Sequence, residues 1–305
     1  MPETTSPAPT RRPSTRTLSL GVGLAAASWG LFWLPMRALE GLGLQGAWAS
    51  VGLFTAGIAV MLPLILWRRG AVLHKGWSWI ITGLITGSAY GLYATALLFT
   101  DVVHTLLLFY LTPVWSTLLG WLFLGERITK ARLLALAMGI AGLAVVLDYT
   151  HGLPLPRNIG DWMALVSGIG WAYGSVRVFG ERYTNALQPT FAYNIGGVAL
   201  GLGLVLLLPG QLSGAAPSAD VWLSAAPWLA LMTAAYLLPT AFLLFLGTMR
   251  LSPGRIGILM MAEALVGVLS AALLADEQFG LRESVGALLI VGASFVEVMQ
   301  PAAEE

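Results

Sequence analysis

The sequence contains no cysteine. That excludes a disulfide framework, a thiolate zinc site and a cysteine nucleophile. Charge is the second scarcity: Asp, Glu, Lys and Arg make up 10% of the 305 residues, where a soluble domain carries roughly 25%. So few charged side chains cannot clothe a water-soluble surface. No large polar stretch remains for a nucleotide-binding or separate catalytic domain, and no GxxxxGK[ST] phosphate loop is present, which argues against an ATP-driven pump. What the chain has instead is apolar surface, with 57% hydrophobic residues and a mean hydropathy of +0.79. It reads as an integral membrane protein.

A helix crosses the hydrocarbon core with roughly 20 apolar residues. Runs of that kind recur at about 18–38, 46–67, 77–99, 102–124, 131–148, 160–180, 188–208, 222–247, 254–274 and 283–300. They are continuous and do not alternate with period two, so they predict helices and not barrel strands. The expected fold is an all-α membrane protein with ten transmembrane helices. Residues 1–17, rich in Pro, Thr and Ser, predict a disordered cytoplasmic tail, and 301–305 a short cytoplasmic tail at the other end. The first run is too long for the core of a cleaved signal peptide. With the N-terminus inside, Arg11, Arg12, Arg16, Arg68, Arg69, Lys75, Arg127, Lys130, Arg132, Arg177, Arg182, Arg250 and Arg255 fall on the cytoplasmic side, against Arg37, Arg157 and Arg282 outside. Positive residues are retained in the cytoplasm, so the pattern predicts both termini inside the inner membrane.

The chain also repeats itself loosely. LTPVWSTLLGWLFLGERIT from Leu111 and AEALVGVLSAALLADEQFG from Ala262 each end an apolar helix at an acidic turn, aligning Leu124-Gly125-Glu126 with Ala275-Asp276-Glu277. Ser28-Trp29-Gly30 corresponds in the same way to Gly170-Trp171-Ala172. The repeat unit is five helices, 18–148 and then 149–300. Five is odd, so the second copy lies inverted, and inverted repeats put a substrate site near the midplane where the halves meet.

Ten helices in two halves, Trp29-Gly30 in the first helix, Pro113 ahead of the Leu124-Gly125-Glu126 turn, and Glu263 ahead of Asp276-Glu277 resemble the drug/metabolite transporter superfamily, EamA type. Within it the chain is similar to the YddG-like exporters of aromatic amino acids. The resemblance covers nearly everything after residue 17 and implies a transporter with cytoplasmic termini. The chain departs from the family pattern at Glu263-Ala264, where Glu-Pro is usual, and at Asp276-Glu277 in place of Gly-Glu. The first departure implies a weaker kink in the ninth helix.

Polar groups in hydrocarbon are expensive and mark function by default. Glu263 stands in an apolar helix with no other charge nearby. It fits a ligand for a substrate ammonium or a proton-exchange site, and equally a carboxyl that locks helices together. Among 12 Trp, 8 Tyr and 11 Phe, those at helix ends read as an interfacial belt. Trp29 and Trp33, one turn apart, and Tyr90, Tyr93, Trp171, Tyr173 and Tyr236, beside small residues, predict a substrate cavity with stacking and cation–π character. Pro35, Pro63, Pro113 and Pro239 permit kinks, and Pro35, Pro113 and Pro239 are the expected hinges. Asp101 and His104, near the outer face, suit either a gate or loop residues capped by water. Glu297 is expected at the cytoplasmic interface. No Lys or Arg falls at mid-depth, which argues against strongly anionic substrates.

The expected function is export of small, neutral, amphipathic metabolites by alternating access, aromatic amino acids foremost, as a uniporter. A proton-coupled drug or quaternary-amine exporter is the alternative. An intramembrane enzyme is disfavoured: HExxH, GxSG and GxGD are lacking, so no catalytic residue, metal ligand or cofactor is expected. The partners expected are a small-molecule substrate and the lipid bilayer, without nucleic acid. The oligomeric state stays open, a monomer included.

Overall fold

The computed structural model describes residues 14–72, 76–96, 99–100, 102–147, 155–181, 183–207, 215–274 and 280–300. Asp101, the Asp276-Glu277 turn, residues 1–13, residues 301–305 and the side chain of Trp33 lie outside the described residues. All regular structure among the described residues is helical: α1 Thr15–Trp29, α2 Trp33–Gly41, α3 Ala47–Trp67, α4 Arg69–Val72, α5 Ser78–Ala96, α6 Val102–Phe109, α7 Thr112–Leu124, α8 Lys130–Val146, α9 Ile159–Gly180, α10 Leu187–Leu207, α11 Ala219–Met232, α12 Leu238–Thr248, α13 Pro253–Met260, α14 Ala262–Leu274 and α15 Leu281–Met299. A π turn, Thr233–Leu237, joins α11 to α12. Five stretches among the described residues are long and apolar enough to cross a membrane: Thr15–Gly41, Ala47–Trp67, His104–Leu124, Leu187–Leu207 and Ala219–Thr248.

Side-chain oxygens start several helices by accepting orphan backbone N–H groups. Ser14 Oγ takes the Thr17 N–H at 3.1 Å, Thr129 Oγ1 that of Arg132 at 3.1 Å, and Asn158 Oδ1 that of Asp161 at 2.9 Å. The first helix therefore begins at Thr15, inside the stretch expected to be a disordered tail. At the end of α7, Gly125 adopts φ +70° and the Gly125 and Glu126 N–H groups bond back to Trp121 O and Gly120 O. A left-handed residue of this kind stops a helix and is cheapest as glycine. That is the physical content of the Leu124-Gly125-Glu126 motif.

Four of the expected spans are not continuous helices. The first breaks at residues 30–32, the fourth at 110–111, the eighth shifts to π geometry at 233–237 and the ninth breaks at Met261. Proline explains part of this. Pro113 has no N–H to give Phe109 O, and the Thr112 hydroxyl donates to that carbonyl instead, at 2.5 Å. Pro35 follows the first break and Pro239 follows the π turn. Pro63 sits inside α3 without interrupting it. The ninth helix breaks at Met261 although Ala264 stands where proline is usual. Close backbone packing holds the geometry there: a Cβ on Gly257 would lie 2.7 Å from Pro113 Cα, and one on Gly30 would lie 2.5 Å from Glu263 O.

Packing follows a pattern of exchanged pairs. α5 lies between α9 and α10, while α1 lies against α12 and α14; α7 packs on α9 and α13; α3 packs on α10, and α8 on α15. The outward side chains, such as Leu24, Leu122, Leu133, Leu206, Leu288 and Phe295, are exposed and aliphatic or aromatic. Between α5 and α10 the backbones meet through glycine, since a Cβ on Gly196 would fall onto the Gly83 carbonyl. Small residues allow such approach in lipid. Gly196→Ala is expected to lower stability by about 1–3 kcal/mol, the range for overpacking. Gly23→Ala, inside α1 and with nothing within 4 Å of its Cβ position, is expected to raise it slightly, by up to about 1 kcal/mol, through helix propensity. Thermal unfolding of both variants in detergent checks the contrast.

Candidate functional site

Three of the interruptions converge. Trp29 ends α1, Phe109 ends α6 and Met260 ends α13, and all three line one narrow chamber, about 270 Å3 with its mouth included. Irregular backbone is tolerated at membrane depth where it lines a cavity or is buried in protein. Tyr90 and Tyr93 enter from α5, Trp171 from α9 and Glu263 from the first turn of α14. A second space of about 420 Å3, its mouth included, adjoins the first: Trp29 and Tyr90 line both. Phe32, Phe54, Tyr193, Asn194 and Thr233 are among its other walls.

Helical spacing decides which aromatic residues reach the chamber. Tyr90 and Tyr93 are three apart, hence on one face. The Trp29 ring stands edge-on to Tyr90 at 5.1 Å and 80°, and Tyr93 lies 4.3 Å from Phe109. Tyr193 contacts Phe54 at 5.2 Å and Phe245 at 5.6 Å. Such contacts are worth about 0.5–1.5 kcal/mol beyond burial and stiffen the walls. Polar tips are anchored as well: Trp29 Nε1 donates to Thr240 Oγ1 at 2.8 Å, Trp171 Nε1 to Met260 Sδ at 3.0 Å, and Tyr236 Oη to Ser28 O at 2.5 Å.

Glu263 is the charged group in the smaller chamber's lining, and neither space is lined by Lys or Arg among the described residues. Tyr90, Tyr93, Tyr110, Tyr193 and Tyr236 all lie within electrostatic reach of its carboxyl. The buried Tyr110 hydroxyl approaches it without reaching hydrogen-bond geometry. A carboxylate that shares a chamber with aromatic rings attracts a cation through its charge, and a ring that turns its face to the cation adds its quadrupole.

Of the residues expected at the site, Trp29, Tyr90, Tyr93, Trp171 and Glu263 come together. Tyr173 does not. Two residues from Trp171, it points to the opposite side of α9 and packs on Phe123, ring centroids 5.8 Å apart. Tyr236 braces α1 from behind the wall. His104 is neither in the chamber nor a loop residue capped by water. It is buried in α6, with Nε2 3.1 Å from Leu155 O and 3.4 Å from Asp161 Oδ2. Asp161, fully buried, also accepts from Thr100 Oγ1 at 2.6 Å and the Arg157 N–H at 2.8 Å. Phe32, Phe54, Phe109, Tyr110, Tyr193, Asn194 and Thr233 were not anticipated. The signal for two of them is Tyr193-Asn194 ahead of Gly196-Gly197, a polar group and a phenol beside small residues within an apolar run.

The opposite end of the bundle is tied by charge. Glu297 is fully buried within the protein: it accepts from Arg132 Nη2 at 3.0 Å and from Arg255 Nε at 3.4 Å. Arg132 also pairs with Glu126 at 2.9 Å and donates to Ser252 Oγ at 2.9 Å. Burial pushes the Glu126 carboxyl up from its ordinary value, with Arg132 opposing. Nearby, burial would raise Glu181, but the hydroxyls of Tyr183, Ser78 and Thr82 and the charge of Arg177 outweigh it and hold the carboxyl low.

Among the described residues, apolar stretches long enough to span a membrane thus accompany a chamber at converging helix breaks. Residues 18–148 match the EamA-like transporter family. The chain is similar to the uncharacterized transporter YvbV of Bacillus subtilis, at 26% identity over 62% of each chain. It is similar to YoaV, an uncharacterized transporter of the same organism, at 24% identity over 91% of this chain and 95% of that one. An uncharacterized transporter of Vibrio cholerae shares 24% identity over 54% of this chain and 56% of its own length. The matches to the first and last of these three thus span less than two thirds of those relatives. A crystal structure shares the fold, with a TM-score of 0.72 and 21% identity over 93% of this chain and 96% of that chain. The family model thus covers under half of the chain, and the three relatives, each named a transporter, are 24–26% identical to it.

Proposed function

We propose that the chain is a ten-span carrier of two inverted five-helix units, 18–148 and 149–300, that exports small amphipathic aromatic solutes bearing an ammonium group, aromatic amino acids foremost. Both termini face the cytoplasm, and the inner membrane is its location. The observation that carries the reading is Glu263 within a chamber walled by Trp29, Tyr90, Tyr93, Phe109 and Trp171. The carboxylate takes the ammonium, and the rings take the apolar body. The inverted repeat is supported by the packing: α5 on α9 is the counterpart of α12 on α1, and α7 on α9 that of α14 on α1. Trp29 and Trp171, which the repeat aligns, line the same chamber. The breaks at 110–111 and 261 fall at matching points of the two units.

Alternating access uses these interruptions, with Pro35, Pro113 and Pro239 as the adjoining hinges. The carrier works as a uniporter. A second reading is favoured by one feature: with no Lys or Arg in either lining, an amine or quaternary amine without a carboxylate meets less opposition than a zwitterion. Uptake of phenylalanine, tryptophan and phenethylamine into proteoliposomes tests both. Amino acid uptake above empty vesicles supports the first reading, and uptake of the amine alone the second. Uphill accumulation driven by an imposed pH gradient would exclude uniport.

A further inference from the structure

Six helix threonines dispose of their hydroxyls in one way, and among the described residues Thr117, on α7 and in neither lining, shares with Thr233 a buried hydroxyl without a partner. Thr82, Thr86, Thr95, Thr190, Thr240 and Thr248 each donate to the carbonyl four residues earlier. Thr233 does not. It opens the π turn, is 1% exposed, and its Oγ1 is buried with no partner among the described residues. It lies in the wall of the larger space. An unpartnered buried hydroxyl is costly by about 1–3 kcal/mol, and π turns recur where a helix is reshaped for function.

Asn194 stands in the same wall, on α10, 5% exposed. Its Nδ2 donates to Thr190 O at 2.8 Å, and among the described residues no hydrogen bond engages its Oδ1. The amide oxygen sits against Gly57, where a Cβ would collide with it. Glycine there keeps the amide in place. Two buried polar groups with spare hydrogen-bonding capacity thus share a wall otherwise built of Trp29, Phe32, Phe54 and Tyr90. Trp29 and Tyr90 separate them from Glu263 in the smaller chamber.

We propose that Thr233 and Asn194 form a second polar subsite that reads a hydroxyl group, phenolic in type, at the end of the solute remote from its ammonium. This deepens the proposed function and rests on it. With the ammonium at Glu263 and the ring against Tyr90 and Trp29, a para hydroxyl extends toward the larger space. There it donates to Asn194 Oδ1 and accepts from Thr233 Oγ1. An analogue without the hydroxyl leaves both groups unpaired, and such sites discriminate against it.

The test is a ratio of initial uptake rates in proteoliposomes of the full chain, for tyramine against phenethylamine and for tyrosine against phenylalanine. Each ratio is taken within one preparation, so the amount of folded carrier cancels. The wild type is expected to favour the hydroxylated member by about two- to tenfold, the factor carried by a neutral hydrogen bond. Thr233→Val lowers the ratio toward one by removing one of the two bonds, and Thr233→Ser keeps it. A wild-type ratio near one, or a ratio that survives Thr233→Val, overturns the subsite while leaving the carrier reading standing. Uptake of none of the four solutes above empty vesicles removes the carrier reading and the subsite with it.

Discussion

Glu263→Gln weakens uptake of ammonium-bearing solutes by about 10- to 100-fold in apparent affinity, the factor expected for a hydrogen bond to a charged group. The substitution keeps size and shape and removes the charge. An ammonium entering the smaller chamber leaves its water behind, and among that chamber's described lining residues only Glu263 supplies an opposite charge. The remaining attraction is the ring quadrupoles of Tyr90, Tyr93, Trp29 and Trp171, worth about 0.5–2 kcal/mol for a contact. Aromatic contacts alone therefore hold the cation weakly. An N-acetylated analogue carries the same ring without the ammonium, so the loss is specific to the amine form. The measurement is inhibition of labelled phenethylamine uptake by each form, in wild type and variant. Equal losses for both forms would mean that Glu263 fastens α14 and does not bind solute. An unchanged affinity for the amine would remove it from the site altogether.

Much of the architecture is legible in the sequence, and the illegible parts have identifiable causes. Apolar composition marks where chain can be buried in lipid, but it runs straight through the interruptions. The stretch 102–124 reads as one helix because Tyr110 and Leu111 are as apolar as their neighbours; Pro113 hints at the break, and the Thr112 hydroxyl completes it. At Met261 no local residue gives it away. Gly257 against Pro113 and Gly30 against the α14 backbone are contacts between segments far apart in the chain. The chamber was half legible. Trp29, Tyr90, Tyr93, Trp171 and Glu263 could be named from their neighbours, whereas Tyr173 was grouped with Trp171 by proximity when a two-residue step turns it to the other face. Phe109 and Met260 look like ordinary core, and only the breaks beside them bring them to the chamber. The burial of Glu297 is not legible in the sequence because its partners Arg132 and Arg255 are distant along the chain and adjacent only in the fold.

That buried carboxylate carries the other large expected effect. Glu297→Gln is expected to destabilise the protein by about 3–5 kcal/mol, the range for removing one partner of a buried ion pair. Two arginines share Glu297, and Arg132 has Glu126 as a second acid, whereas Arg255 retains the Gln300 carbonyl at 2.8 Å. Neutralising Glu297 therefore strands a positive charge where Arg255 is 4% exposed. The deficit follows from imbalance and not from any large net worth of the ion pair, because desolvation offsets much of the Coulombic gain. Removing charge from both sides should accordingly recover stability. The Arg255→Met, Glu297→Gln double variant leaves Arg132 with Glu126, and it is expected to unfold closer to wild type than Glu297→Gln does, a coupling that a double-mutant cycle isolates. Thermal or denaturant unfolding in detergent of the wild type, both single variants and the double variant gives that cycle. A double variant whose loss equals the sum of the two single losses would mean that the two side chains act independently, and that Glu297 is stabilised by Arg132 and Gln300 alone.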